Sequence, residues 1–226
     1  MHLAELWRYP VKSMGGEQLQ HAALGPEGVP GDRALYVLDR RDRVATSRSR
    51  PRLLLHHATL GASGEPLVDG RAWGGPDVAA DVEHAVGPGA RLVRAEGLER
   101  FDVLPLLVAT DGAIASLGYD RRRFRPNLLL GGVPGLAERA WEGRLLRVGG
   151  ALIRAVTLRQ RCIMTTFDPD TAEQDTEVLL RIHRELGGAL ALDCEVVQPG
   201  EVKVGDPVTL VSGPSIRSRT ARSPAT

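Results

Sequence analysis

The chain has 226 residues, with 29 Lys and Arg against 28 Asp and Glu, so its formal net charge is only +1. This length suffices for one compact domain or two small ones that bury a core without disulfides. A nearly neutral chain offers no global field for nucleic acid or an anionic membrane, so any anion site must be a local cluster. The longest apolar runs, such as residues 189–192, are far shorter than the roughly 20 residues of a membrane-spanning helix.

Cysteine usage bears on the cellular compartment. Cys162 and Cys194 are the only cysteines of the sequence, and no signal peptide pattern is present. Two isolated cysteines without a secretion signal favour a reducing compartment over a disulfide framework. We therefore expect a cytoplasmic protein that binds neither a membrane nor a nucleic acid.

The pattern of apolar residues indicates a mainly β protein of the α+β class. Short apolar runs, often alternating with polar residues, recur between glycine and proline turn signals. The predicted strands cover residues 3–9, 34–38, 52–60, 104–109, 127–130, 145–148, 152–157 and 207–211. A polar hairpin turn is predicted at residues 39–43.

Helices are few in this prediction. Apolar residues between 178 and 186 share one helical face ahead of two glycines, which predicts a helix over residues 173–186. A shorter helix is predicted over residues 112–117. Residues 61–89 mix glycine, proline and polar residues, and we interpret them as loop-rich or edge structure.

Changes in composition divide the chain into two subdomains and a tail. We place a boundary near residue 97, which gives units of residues 1–97 and 98–211. Residues 212–226 have almost nothing to bury and carry three arginines. Such a composition predicts a disordered tail, because burial cannot offset the entropy of ordering.

The first candidate site follows the opening strand, in the sequence Tyr-Pro-Val-Lys-Ser at residues 9–13. Lys12 is one of only two lysines, and an ammonium beside the Ser13 hydroxyl is suited to an oxyanion. A solvated strand end is the ordinary alternative, since short motifs often arise by chance.

A second candidate pairs Arg33, in Gly-Asp-Arg at residues 31–33, with the arginine-rich segment of residues 46–52. Paired strands would bring these residues together, and guanidinium groups bind phosphate and carboxylate through two parallel hydrogen bonds. The alternative is a polar hairpin in which Asp32 forms an internal salt bridge.

A third candidate is the run Arg-Arg-Arg-Phe-Arg-Pro-Asn at residues 121–127, ahead of an apolar strand. Residues 121–123 are expected to face solvent. Arg125 and Asn127 are two positions apart, so in an extended strand both would point to the same side and share a ligand. Only three Phe, three Tyr and three Trp exist in the chain, which disfavours stacking on nucleic acid bases.

The fourth candidate surrounds Cys162, in the segment of residues 159–171 after a predicted strand. Arg161 beside the cysteine favours the thiolate, which is the form that ligates metal or attacks an electrophile. Most unpaired cysteines are inert core residues, and Cys194, within an apparent strand, fits that interpretation.

These four segments, in this order, resemble the MOSC family. The Lys-Val-Gly-Asp-Pro-Val segment at residues 203–208 also matches the family's closing motif, so the resemblance spans residues 2–211. Within the family the chain is similar to the mitochondrial amidoxime-reducing component and its bacterial counterparts. The resemblance implies an N-terminal MOSC β-barrel subdomain packed on a MOSC β-barrel.

The resemblance also implies a molybdenum cofactor, in which a molybdopterin dithiolene and one protein cysteine hold the metal. Cys162 occupies the position of that cysteine and would be both metal ligand and catalytic residue. The residues at positions where the family contacts the pterin and its phosphate are Lys12, Ser13, Arg33, Arg125, Asn127 and Arg161. Thr46 and Arg48 match a Thr-x-Arg element near that site, and Thr110 is a further candidate.

The function implied is an oxidoreductase that reduces N-hydroxylated compounds. No ferredoxin-like or desulfurase domain accompanies the barrels, so electrons are expected from a separate ferredoxin-, flavodoxin- or cytochrome-like protein. Two alternatives remain open: a non-catalytic cofactor carrier or sulfur-transfer partner that uses Cys162, and an anion-binding barrel with no redox role. The chain departs from the family at Gln160, Ala172 and Asp193, which bears on substrate identity more than on cofactor binding.

Overall fold

The computed structural model describes residues 1–97 and 100–211. The tail predicted at residues 212–226 lies outside the described residues. Within the described part, the first nine strands are β1 (His2–Arg8), β2 (Glu17–Leu19), β3 (His21–Leu24), β4 (Leu35–Leu38), β5 (Val44–Ala45), β6 (Ala58–Leu60), β7 (Pro66–Val68), β8 (Arg71–Ala72) and β9 (Arg91–Arg94). The other strands are β10 (Leu106–Thr110), β11 (Leu128–Gly131), β12 (Leu145–Val148), β13 (Ala151–Gln160), β14 (Ala189–Gln198), β15 (Gly200–Lys203) and β16 (Val208–Val211). The α-helices are α1 (Pro76–Val86), α2 (Asp111–Leu117) and α3 (Glu177–Leu186).

An eight-stranded mixed sheet organises most of the chain, in the order β16-β12-β13-β14-β10-β11-β1-β2. Its neighbours are antiparallel except for the parallel pair β10 and β11. The backbone N–H of Leu3 donates to Asp206 (2.9 Å) and that of Val208 donates to Met1 (2.9 Å). These bonds join β1 to the segment that enters β16, so the sheet curls round an apolar core.

A second, smaller unit lies between residues 35 and 94. Two three-stranded sheets, β5-β4-β9 and β6-β7-β8, pack with α1 around a separate apolar core. The strands β1 and β2, which precede this unit in the chain, hydrogen-bond within the large sheet instead. Backbone bonds therefore cross the division predicted at residue 97, and that division stays a prediction.

Helix α1 corrects the loop-rich interpretation of residues 61–89. Gly75 is extended at the N-cap and Pro76 opens the helix, where its missing N–H costs nothing. Val78, Val82 and Ala85 form the buried face, and Gly87 ends the helix at φ 131°. The helical periodicity rests on these three buried positions alone. The glycines on either side of the helix made the segment resemble a loop.

The strand predicted over residues 52–60 is only partly correct. Pro51–Leu55 form a 3₁₀ turn that buries Leu53 and Leu54, and strand β6 begins only at Ala58. The two predicted helices are present as α2 and α3, and α3 buries Val178, Ile182 and Leu186. The mainly β class with few helices is confirmed. No helix within residues 1–97 and 100–211 is both long and apolar enough to cross a membrane.

Candidate functional site

A cavity of about 450 Å³ opens between the small unit and one end of the large sheet. Several distant chain segments line it, most of them where a strand ends or a tight turn begins. The lining residues are Lys12, Ser13, Arg33, Thr46, Arg48, Asp102, Val103, Leu107, Phe124, Arg125, Thr157, Leu158, Arg159, Gln160, Arg161, Cys162, Met164 and Asp193. The cavity therefore brings together every residue predicted for the site except Asn127 and Thr110.

Cys162 lies two residues beyond the end of β13 and is partly exposed. It begins a 3₁₀ turn in which the N–H (3.0 Å) and hydroxyl (2.9 Å) of Thr165 both donate to the Cys162 carbonyl oxygen. The Arg48 guanidinium lies against the Cys162 thiol. Burial opposes the charge of Arg48, but Cys162 and Asp102 outweigh this effect and raise the pKa of Arg48. The sulfur thus faces a fixed cation.

The basic run at residues 121–123 holds the segment that follows Cys162. The Arg123 guanidinium donates to the Thr166 carbonyl (3.0 Å) and to the Asp168 carboxylate (2.8 Å). Arg122 bridges Asp120 (2.7 Å) and Asp170 (2.6 Å), hydrogen bonds that raise the pKa of Arg122. The expectation that this run faces solvent is therefore only partly correct: the Arg121 and Arg122 side chains stay partly exposed, whereas the Arg123 side chain is largely buried against the segment around Asp168.

Three cavity residues have a left-handed backbone that side chains rarely adopt: Ser13 (φ 73°), Arg33 (φ 51°) and Arg125 (φ 55°). This conformation costs about 1–2 kcal/mol for a residue with a Cβ atom, and such strain concentrates at functional sites. The Arg125 conformation also corrects the argument that Arg125 and Asn127 share one face of an extended strand, since the chain turns before β11.

Arg33 both lines the cavity and forms the internal salt bridge that was the alternative interpretation of its segment. Its guanidinium pairs with Asp32, which is fully buried and also accepts a hydrogen bond from the Tyr9 N–H (2.7 Å). The internal salt bridge is thus present, and Arg33 still lines the cavity. Its guanidinium also lies 5.4 Å from the centre of the Tyr9 ring.

Arg125 is buried without a carboxylate partner among the described residues. Its guanidinium lies 4.1 Å from the centre of the Tyr9 ring and donates to the Met14 carbonyl (2.5 Å). Burial lowers the pKa of Arg125 to about 10. A buried cation is costly unless an anion compensates it, so this position favours a negatively charged ligand.

Arg161 is half-buried, and its guanidinium lies 5.8 Å from the centre of the Phe124 ring. It donates to the Phe124 carbonyl (2.9 Å), while its buried Nε has no hydrogen-bond partner in the part of the chain described. Burial, with the charge of Arg159, lowers the pKa of Arg161 to about 10. Unsatisfied buried donors are rare in folded proteins. Neither Arg125 nor Arg161 pairs with a carboxylate in the described part of the chain, so both can take part in binding an anion.

Two carboxylates in the cavity were not assigned to the predicted site. Asp102 pairs with Lys12 (2.7 Å) and Arg48 (2.7 Å), and Arg159 lies 3.7 Å away. Burial would raise the pKa of Asp102, but Lys12 and then Arg48 outweigh it and lower that pKa. No local pattern marks Asp102, because its partners come from distant segments.

Asp193, noted from sequence only as a departure from the family, is buried in the cavity wall. Arg159 donates to both of its oxygens (3.1 and 3.3 Å). Burial raises the pKa of Asp193, although Arg159 opposes the shift. Arg159 was part of the predicted cysteine segment but was not among the predicted ligands. The pair gives the cavity a polar wall with little net charge.

Asn127 and Thr110 lie outside the cavity lining. The Asn127 side chain accepts from the Leu107 N–H (3.1 Å) and donates to the Trp7 carbonyl (3.3 Å), which ties β10, β11 and β1 together. The Thr110 hydroxyl accepts from the Ala113 N–H (3.3 Å), capping α2, and donates to the buried Glu138 (3.1 Å). Both side chains have structural partners here.

The residues present fit a molybdenum cofactor. A thiolate is a soft ligand suited to a metal already bound by sulfur. Lys12 and five arginines line the cavity. Their ammonium and guanidinium groups can donate hydrogen bonds to phosphate and pterin oxygens. Two of those arginines, the buried Arg125 and the half-buried Arg161, form no ion pair within the described residues, and an anionic cofactor would supply the missing charge.

Comparison with known proteins agrees with the sequence motifs. Residues 1–96 match the MOSC N-terminal beta barrel domain and residues 111–209 match the MOSC domain. The chain is 25% identical to mitochondrial amidoxime-reducing component 1 of Homo sapiens, covering 92% of this chain and 82% of the human protein. It is 29% identical to a molybdenum cofactor sulfurase of Anopheles gambiae, covering 83% of this chain and 33% of that protein.

Among solved structures, the YuaD protein from Bacillus subtilis aligns with 91% of this chain and 92% of its own, at a TM-score of 0.47 and 15% identity. The matches to the two domains confirm the predicted resemblance and the N-terminal β-barrel subdomain. By name, one of these relatives is an amidoxime-reducing component and another is a molybdenum cofactor sulfurase. The chain therefore belongs to the MOSC family, with a MOSC N-terminal beta barrel domain followed by a MOSC domain.

Proposed function

We propose that this protein binds a molybdenum cofactor in the large cavity and reduces N-hydroxylated compounds there. One observation carries the proposal: the partly exposed Cys162 thiol shares a cavity with the buried Arg125 and the half-buried Arg161, neither of which pairs with a carboxylate among the described residues. Relatives named amidoxime-reducing components support the reductase chemistry.

The protein's part is to bind and orient the cofactor. Cys162 would ligate the metal, and Arg125 and Arg161 would take the negative charge of the pterin phosphate and ring oxygens. Lys12, Ser13 and Arg33 lie on the adjoining wall and would supply further donors. When bound, the cofactor would supply a redox metal that accepts an oxygen atom, while the protein fixes geometry and charge.

The proposed reaction converts an amidoxime, R–C(NH₂)=N–OH, with two electrons and two protons into the amidine, R–C(NH₂)=NH, and water. The N–O bond breaks and its oxygen leaves in water. The electrons would come from a separate carrier protein of the ferredoxin, flavodoxin or cytochrome type. The expected cytoplasmic location stays a prediction.

The mouth of the cavity favours a substrate with an apolar body. Val103 lines the cavity and is 54% exposed, and Ile163, next to Cys162, is 43% exposed. Exposed apolar side chains at a pocket entrance suit an apolar ligand group. Arg159 and Asp193 form the facing polar wall and suit the N–OH end, because they offer both donors and acceptors.

The test combines metal analysis with turnover. We expect purified protein, produced with sufficient molybdate, to hold stoichiometric molybdenum and pterin and to reduce benzamidoxime with reduced methyl viologen. Cys162→Ser should lose both properties while its thermal unfolding stays cooperative. Molybdenum-replete wild type that reduces no compound across a panel of amidoximes and N-hydroxylated bases would contradict the reductase proposal.

A carrier or sulfur-transfer role is the second candidate. It is favoured by the partial exposure of Cys162 at a strand end, where a partner protein can reach the sulfur. In that role the intact protein would carry a persulfide on Cys162, visible as a mass increase of one sulfur atom that a reductant removes. Persulfide without bound molybdenum would favour this role over the reductase.

A further inference from the structure

A second concave surface lies between the β4–β5 turn and the C-terminal end of α1. It has a volume of about 330 Å³ and is lined by Asp39, Arg40, Arg41, Arg43, Arg50, Val86, Gly87 and Pro88. We call these residues the basic groove. Four of them are arginines and one is an acid, in a chain whose overall net charge is only +1. The proposed chemistry of the large cavity does not use this surface.

Asp39, the one acidic residue of the basic groove, stabilises the turn between β4 and β5. Its carboxylate accepts from Arg43 Nε (3.0 Å) and Nη2 (2.8 Å), and also from the N–H of Arg41 (2.8 Å). These hydrogen bonds, those from Arg43 first, lower the pKa of Asp39 to about 2. Asp39 therefore stays ionised and hydrogen-bonded within the turn. The turn leaves the Arg40 and Arg41 side chains exposed to solvent.

The remaining arginines of the groove keep their charge uncompensated. Arg40 and Arg41 are exposed and form no ion pair within the described residues. The Arg50 guanidinium donates to the carbonyls of Val86 (3.0 Å) and Ser49 (3.0 Å) and to no carboxylate in the described part of the chain. Next to the groove, Arg52 contacts only His84 (3.4 Å). Cations on a fixed frame without carboxylate partners favour a complementary acidic surface.

The groove adjoins the large cavity through one tight turn. The N–H groups of Ser49 (3.1 Å) and Arg50 (2.9 Å) both donate to the carbonyl of Thr46. Arg48 lines the cavity and lies against Cys162, whereas Arg50 lines the groove. Two residues of chain span at most about 7 Å, so a protein bound in the groove lies beside the mouth of the cavity.

We propose that the basic groove is the docking surface for an acidic one-electron carrier protein. The inference rests on the proposed function, which requires electrons from outside this chain. The arginines of the basic groove are exposed along an open surface rather than buried around one point. This arrangement suits the face of a protein better than a small anion. Each docking passes one electron from the carrier's centre to the site, and two dockings supply the two electrons of the N–O reduction. Placement beside the cavity shortens the electron's path.

The test compares two charge reversals of equal size. Arg40→Glu/Arg41→Glu changes the groove, and Arg144→Glu/Arg147→Glu changes two exposed arginines on the side of β12 that also lack acid partners among the described residues. Flavodoxin and a [2Fe–2S] ferredoxin, both acidic, are the probes. Binding is measured at low and high ionic strength, and turnover of benzamidoxime with each carrier and with reduced methyl viologen.

The groove variant should weaken carrier binding and raise the KM for the carrier by about tenfold or more at low salt, with a smaller effect at high salt. The control variant should behave as wild type, and viologen-driven turnover should be unchanged in both. Equal effects of the two variants, no binding of either carrier, or binding of inorganic phosphate alone would overturn the docking proposal. Groove-dependent carrier binding without any viologen-driven turnover would instead overturn the reductase function and leave the docking surface standing.

Discussion

Cys194 lies on β14 and Cys162 lies just beyond the end of the neighbouring strand β13, and the two cysteines have opposite environments. Cys194 pairs with Ala155 of β13 and Leu106 of β10, is fully buried in the large apolar core, and burial raises the pKa of its thiol. Cys162 follows the end of β13, is partly exposed and faces Arg48. The contrast shows that the strand end and its surrounding cations, not the residue type, decide which sulfur is available to a metal.

The largest expected effect separates the two sulfurs directly. Cys162→Ser should remove nearly all bound molybdenum, because a hydroxyl is a harder and far less acidic ligand than a thiol. Metal analysis by mass spectrometry of the purified variant measures the loss. Cys194→Ser, prepared in the same way, is the control and should keep wild-type molybdenum content. Equal metal loss in both variants would mean that the comparison of the two sites is incorrect.

A second variant tests the cations around the exposed sulfur. Arg161→Met removes the charge of a half-buried side chain but keeps an unbranched apolar stem, so cofactor retention should fall by about tenfold or more while the apo-protein loses no more than about 1 kcal/mol of stability. Molybdenum retained after gel filtration and denaturant melts of the apo-protein measure the two effects. A large loss of apo-protein stability with normal retention would make Arg161 a structural residue.

The buried cysteine should show its role in stability alone. Cys194→Ser places a hydroxyl in an apolar core and should cost about 1–3 kcal/mol, since the hydroxyl loses its hydrogen bonds to water. Urea unfolding followed by circular dichroism gives the difference from wild type. Cys162→Ser should lie within about 0.5 kcal/mol of wild type in the same experiment on apo-protein.

The smallest expected effect concerns Asp102, which joins cations from both sides of the cavity. Lys12 and Arg48 overcome the effect of burial and lower its pKa, so this carboxylate stabilises the fold at neutral pH. Asp102→Asn should cost about 1 kcal/mol or less at pH 7. Because the folded-state pKa lies below the unfolded value of about 3.9, the difference in melting temperature should persist above that pH and shrink as the pH falls below it. A difference that grows in acid would contradict the assigned pairing.

The sequence predicted those features that short segments encode. Strand β12 has the predicted bounds, residues 145–148, and the motifs around Lys12, Arg33, Arg125 and Cys162 meet in one cavity. Each of these motifs lies at a strand end or a turn, where local residue types mark the position.

The features that escaped prediction depend on contacts between distant segments. Arg48 and Asp102 are 54 residues apart, and Arg122 and Asp170 are 48 apart. No local periodicity reports such pairs, so Asp102 and the ion-paired state of residues 121–123 were missed. Asn127 belongs to the same class, because its partners on β1 and near β10 are set by the sheet.

The left-handed backbone at Ser13, Arg33 and Arg125 bears on the order of assembly. Neighbouring residues hold this conformation within the fold itself, as where the Arg125 guanidinium contacts the Tyr9 ring and the Met14 carbonyl, so its cost is met during folding. A receptor shaped in advance loses little further freedom when its ligand arrives. These three residues are therefore preorganised, and a ligand that binds them need not meet the cost of their backbone strain.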